Sequence, residues 1–230
     1  KSIKTAKMLD KETGYIKLIE FQERTPRELE EKLLKLKKRN MKALILDLRN
    51  NPGGLLDTAY GVADKFLAKG KVIVSLEGRV PAQNKVYKSR GGRHFLDFPM
   101  VVLVNEGSAS ASEIVAGAIQ DNQRGIILGS KTFGKASVQT VIPLKDGSAA
   151  RLTTAVYYTP SGRSIRDKGI IPDVEVSLKE EKELPEEEDI FKKLEEKHKV
   201  KDKEEVIYDN QLQAAVDVLK GILIYVGREQ

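Results

Sequence analysis

Three serines alternate with alanines in Gly107-Ser108-Ala109-Ser110-Ala111-Ser112-Glu113, after the apolar run Met100 to Val104 and before the apolar stretch Ile114 to Ile119. A serine where a strand gives way to a helix is usually a cap, its oxygen accepting from an early helical N–H. The same place suits a nucleophile, because free N–H groups and the positive end of the helix favour the anion that develops on an attacked carbonyl. Residue types alone do not choose among Ser108, Ser110 and Ser112. A second turn of this kind, Asn50-Asn51-Pro52-Gly53-Gly54, follows the apolar run Ala43 to Leu48. Adjacent glycines let backbone N–H groups approach a ligand closely, so this loop could donate to an oxyanion. A glycine pair by itself reads first as a tight strand-to-helix connection.

A serine nucleophile needs a base. The chain has no cysteine and two histidines, His94 in a Gly-Gly-Arg loop and His198 in a Lys/Glu run, both expected at the surface. A lysine can serve where burial brings its pKa from about 10.4 toward neutrality. Most lysines here lie in charged runs. Lys135 instead has small and apolar neighbours in Thr132-Phe133-Gly134-Lys135-Ala136-Ser137-Val138. As a base it requires a dry crevice beside the hydroxyl; otherwise it is a lysine at a strand start whose amine snorkels to water.

The elements that must position these groups alternate as a βα chain does. Gly14 to Ile19 reads as a first strand, and Thr25-Pro26-Arg27-Glu28 as a helix start with a hydroxyl cap, followed by Leu29, Leu33 and Leu36 at helical spacing. Ala43 to Leu48 is continuously apolar, as in a strand buried on both faces. A second helix carries Asp57 as its expected cap and Ala59, Ala63, Phe66 and Leu67 on its inner face. Lys71 to Leu76, Met100 to Val104, Gly125 to Gly129 and Ser137 to Pro143 are predicted strands. Gly78 to Gly92 is expected to be a polar hairpin or loop, and Asp146-Gly147 turns the chain into Ala149 to Tyr158. This alternation predicts an α/β core.

Hydrophobic residues make up 40% of the 230 and charged residues 32%, with 40 Lys and Arg against 34 Asp and Glu, a net charge of +6. Both signs are abundant, which argues against a dedicated nucleic-acid binder. No apolar run reaches the roughly 18 residues that cross a bilayer. The composition divides the chain into a core over 1–178, a charged linker over 179–207 rich in Lys and Glu, and a helix over 208–230 that docks back on the core or onto a second copy.

Taken together, these segments resemble the carboxyl-terminal processing proteases (tail-specific proteases), a serine–lysine peptidase family. The motifs run in order over most of residues 8–176: Gly14-Tyr15-Ile16, Leu46-Asp47-Leu48-Arg49-Asn50-Asn51-Pro52-Gly53-Gly54, Asn105 through Asp121, Lys131 to Lys135, Ser137 to Thr140, Tyr158 to Ile165, and Gly169 to Asp173. The resemblance implies an α/β fold of the crotonase/ClpP-like type, stacked strand–helix units with a C-terminal helical extension. It implies Ser110 as nucleophile, Lys135 as general base, and Gln139 as the residue that orients the lysine. The oxyanion donors would be the backbone N–H of Ala111 and of one glycine in the Gly53-Gly54 pair, with Gly54 favoured. Asp121 shares the Ser110 face of its helix but lies roughly 16 Å along the axis, so a structural role is expected. Ala136 stands where many relatives carry glycine.

The implied activity is serine endopeptidase cleavage of proteins near unstructured, apolar C-terminal tails, with no metal or cofactor. The implied location is outside the cytoplasm, in the periplasm, cell envelope or thylakoid lumen. Relatives usually carry a peptide-binding PDZ domain ending just before a stretch like Lys1 to Asp10, so the chain is expected to be a protease core without it. The competing class is a non-catalytic module on the same fold that grips peptide tails or displays a dimerisation surface.

Overall fold

The computed structural model describes residues 1–81, 84–92, 94–178 and 209–227. The expected charged linker over 179–207, and His198 within it, lie outside the described residues.

Among the described residues, two sheets are built from ten strands. Strand β1 (Ile3–Met8) pairs antiparallel with β2 (Thr13–Leu18). Strands β2, β3 (Ala43–Asp47), β6 (Met100–Val104), β7 (Ile126–Gly129) and the short β10 (Val174–Glu175) follow as a parallel array, in the order β1-β2-β3-β6-β7-β10. The second sheet is antiparallel, with β5 (Lys85–Lys88), β4 (Val72–Gly78), β9 (Ala149–Tyr158) and β8 (Ser137–Pro143) side by side. The stretch expected as a polar hairpin or loop thus supplies an edge strand.

Both β3 and β6 are buried at every position, as their apolar sequences require, with Asp47 at the end of β3 the one charged residue. One face of the parallel sheet is covered by α1 (Thr25–Lys37), α2 (Leu56–Asp64) and α3 (Ala111–Asp121). Leu29, Leu33 and Leu36 on α1 are buried there, and each fully buried leucine contributes roughly 1.5–3 kcal/mol. Two expected caps are corrected. The N-cap of α1 is Arg24, and the Thr25 hydroxyl accepts from the Gln22 N–H upstream. The N-cap of α2 is Leu55, with Asp57 inside the first turn.

The other face is covered by the C-terminal helix α4 (Asn210–Gly227), whose Ala215 and Leu219 are buried against Tyr15, Ala43, Ile45, Val101, Leu103 and Leu128. An ionic clasp holds its start. The buried Arg49 guanidinium donates to both oxygens of Asp47 (3.0 and 2.7 Å), to both of Asp209 (2.8 and 2.7 Å) and to Gln211 Oε1 (3.0 Å). Tyr15 and Lys17 donate to the same Asp47 carboxylate.

Because β3, β6 and β7 are adjacent and parallel, with Asp47 opposite Leu103 and Val104 opposite Gly129, their following loops leave the sheet side by side. Ligand sites in open α/β sheets collect at this carboxyl end. The three loops carry Gly53-Gly54, Ser110 and Lys135, with the serine in the middle.

Candidate active site

The three serines separate by what their hydroxyls do. Ser108 Oγ donates to the Leu48 carbonyl and Ser112 Oγ to the Asn51 carbonyl, each at 2.8 Å, and both residues are fully buried. They stitch the serine loop to the glycine loop. Ser110 is half-buried and sits at the N-cap of α3 with φ 54° and ψ −113°. Left-handed φ in a residue with a Cβ costs on the order of 1–3 kcal/mol and marks a position the surroundings enforce. In α/β-hydrolases a serine on a sharp strand-to-helix turn is presented to the cleft in this way.

Glycine is obligatory on the facing loop. Gly53 has φ 103°, and a Cβ there would lie 2.8 Å from Ser110 Cβ and 2.9 Å from the Ala111 nitrogen. Gly54 has φ 148°, and a Cβ there would strike the Phe21 carbonyl oxygen at 2.2 Å. The Gly53 N–H is already engaged, donating to Asn51 Oδ1 at 2.9 Å. The loop is held to Phe21, whose N–H donates to the Gly53 carbonyl while Leu55 N–H donates to the Phe21 carbonyl. This leaves the Gly54 N–H without an acceptor among the described residues, and the Ala111 N–H at the first turn of α3 is in the same condition. Of the two glycines, only Gly54 has a free donor.

Glu113, fully buried, gathers the remaining strands of the site. Its Oε2 accepts from the Ser110 N–H (2.8 Å) and the Lys135 N–H (2.9 Å); its Oε1 accepts from the Gly134 N–H and the Thr132 hydroxyl, both at 2.6 Å. Sequence reasoning missed this role. The available signal was the spacing Ser110-x-x-Glu113, in which a glutamate at the third helical position reaches back to the cap N–H. Thr132 is fixed in turn by Ile170, whose N–H donates to the Thr132 hydroxyl at 2.7 Å.

The backbone of Lys135 is therefore pinned, and its carbonyl accepts from the Tyr157 hydroxyl. Its side chain is exposed and has no hydrogen-bond or ion-pair partner among the described residues. The dry crevice that a basic lysine requires is not formed around it. Gln139 is likewise exposed on β8, where a bulge between Val138 and Gln139 interrupts pairing with β9. The structure sets Gly53 against Ser110 and Ala111, with Gly54 next to it against Phe21, and ties the backbones of Ser110 and Lys135 to one carboxylate; it shows no hydrogen bond from the side chain of Lys135 or Gln139 to the serine. Asp121 accepts from the Ser161 N–H at 2.9 Å and pairs with Arg163, fastening the 158–165 segment to the end of α3. Its contacts are structural, as its distance along the helix predicts.

Comparison with known proteins matches residues 12–176 to the family model Peptidase family S41. A carboxy-terminal-processing protease of Bartonella bacilliformis is 49% identical over 177 residues, covering 75% of this chain and 40% of that protein. Among solved structures, the photosystem II D1 C-terminal processing protease superposes with a TM-score of 0.66 at 38% identity, covering 72% of this chain and 42% of that one. Mature CPAF, 16% identical with a TM-score of 0.60 over 75% of this chain and 49% of its own, shares the fold. The chain spans less than half the length of these relatives. By its matched sequence and its α/β architecture, the chain belongs to peptidase family S41.

Proposed function

We propose that this chain carries the catalytic core of a serine endopeptidase that cleaves proteins near their C-termini. The observation that carries this reading is a serine held at φ 54° against Gly53, on a turn and facing loop where the N–H groups of Ala111 and Gly54 have no acceptor among the described residues. Such a pair can stabilise the charge that develops on an attacked carbonyl oxygen. Both donors are backbone groups of constrained loops, so little reorganisation is needed.

Lys135 is the base. Its amide is fixed at the N–H by Glu113 and at the carbonyl by Tyr157, so only side-chain torsions separate the exposed amine from the serine. An extended lysine side chain reaches roughly 6 Å from Cα, and exposed rotamers exchange on the picosecond to nanosecond scale. The conformation described is a resting one. With the amine turned inward and neutral, it takes the Ser110 proton as Oγ attacks the substrate carbonyl carbon. Gly54 and Ala111 hold the oxyanion, the lysine ammonium returns the proton to the leaving amine, and water then cleaves the acyl-enzyme. Gln139 orients the inward lysine. The substrates are proteins with unstructured apolar tails, supported by relatives named for carboxy-terminal processing, and the site of action is outside the cytoplasm.

The exposed lysine favours a second reading, a tail-binding module that does not cleave. Incubation of the intact protein with a substrate bearing an unstructured apolar tail distinguishes the two. Cleavage lost in both Ser110→Ala and Lys135→Ala supports the protease. Tail binding without cleavage in the wild type, unchanged in both variants, supports the module.

A further inference from the structure

Tyr157 is a buried polar residue at the site for which the proposed chemistry has no task. It lies on β9 and is 2% exposed. Its hydroxyl donates to the carbonyl of Lys135, and its own N–H donates to the Ala136 carbonyl at 3.0 Å, so it grips the lysine turn with side chain and backbone together. A phenol carries one proton. With that proton on the Lys135 carbonyl, the phenol holds the carbonyl end of the residue while Glu113 holds its N–H.

We propose that Tyr157 is a positioning residue for the serine reaction, its hydroxyl holding the Lys135 carbonyl so that the lysine turn keeps its place beside Ser110 on the shared Glu113 carboxylate. This rests on Ser110 being the nucleophile. The tyrosine is not itself the proton acceptor. Burial, and then the charge of Glu113, push its phenol above the ordinary range, with Ser110 pulling weakly the other way, so the group stays protonated and keeps donating. Without that hydroxyl, the residue 135 backbone would keep its Glu113 anchor and lose the one at its carbonyl.

The test is the kinetics of phosphonylation by a fluorophosphonate probe in the intact wild type and in Tyr157→Phe, Tyr158→Phe and Ser110→Ala, with thermal unfolding of each. Phenylalanine keeps the buried ring and removes only the hydroxyl. The expected result is a maximal labelling rate about tenfold lower in Tyr157→Phe, the kinetic counterpart of one lost hydrogen bond, with the half-saturating probe concentration and the melting temperature nearly unchanged. Tyr158, whose hydroxyl faces Glu77, is the control, and its variant should label as the wild type does. Wild-type labelling rates in Tyr157→Phe overturn the inference, while absence of labelling in Ser110→Ala leaves the nucleophile assignment standing. A wild type that does not label, or labelling that survives in Ser110→Ala, overturns both. Should Tyr157→Phe melt near the assay temperature, the same comparison at a temperature where both proteins are folded decides the matter.

Discussion

Ser110 and Lys135 donate their backbone N–H groups to one oxygen, Oε2 of Glu113, at 2.8 and 2.9 Å. The residues proposed as nucleophile and base are thus fixed to each other through a single buried carboxylate, while the lysine side chain has no partner among the described residues.

The Glu113 carboxylate accepts four hydrogen bonds from the described residues. In Glu113→Gln an NH2 group must face donors at one of these oxygens, leaving buried N–H groups unsatisfied. We expect a stability loss on the order of 2 kcal/mol or more, read by chemical denaturation, and a fall in fluorophosphonate labelling beyond what unfolding explains. Labelling and stability both at wild-type values would remove Glu113 from the site's framework.

Gly53→Ala and Gly54→Ala should each cripple the site by different routes. An alanine methyl at 53 collides with Ser110 and Ala111, and one at 54 collides with the Phe21 carbonyl that anchors the loop. Loss of an oxyanion donor typically costs about 10²–10³ in rate. Steady-state cleavage should fall by at least that factor in Gly54→Ala, with circular dichroism still reporting a folded α/β protein.

Asp47 and Asp209 are both held below the ordinary carboxyl value of 3.8: burial opposes their ionisation, and the hydrogen bonds and charge of Arg49 outweigh it. A depressed carboxyl pKa contributes stability above the unfolded value and loses it as pH falls through the folded one. Docking of α4 should therefore be constant between about pH 6 and 8 and weaken below about pH 4. Amide exchange over 210–227 measures this. Asp209→Asn should reproduce the acid effect at neutral pH, with faster exchange worth about 1–2 kcal/mol.

Much of this arrangement could be read from the chain. The apolar stretches Ala43–Leu46 and Met100–Val104 announce buried parallel strands, and the loops after them hold the glycines and serines. What composition left open was which serine is available. That depends on hydroxyl partners more than fifty residues away, Leu48 for Ser108 and Asn51 for Ser112. The clasp of Arg49 on Asp209 and the approach of Tyr157 to Lys135 are likewise set by sheet order and strand pairing, with no local spacing to betray them. Strand β1 was missed because Ile3–Met8 mixes lysine, threonine and alanine at a sheet edge, where one-sided burial needs little apolar pattern. The exposed lysine amine contradicts the environment its proposed role demands, since burial of a charged side chain is decided by the loop's final conformation and not by its apolar neighbours in sequence.

The most direct test is to treat the intact wild type and Lys135→Ala with a fluorophosphonate and locate the adduct by peptide mass spectrometry. A serine activated by this lysine predicts one phosphonylated residue, Ser110, in the wild type, and labelling slowed by at least about 10²-fold when the amine is removed. An adduct on another residue, or undiminished labelling of Ser110 in Lys135→Ala, would contradict it.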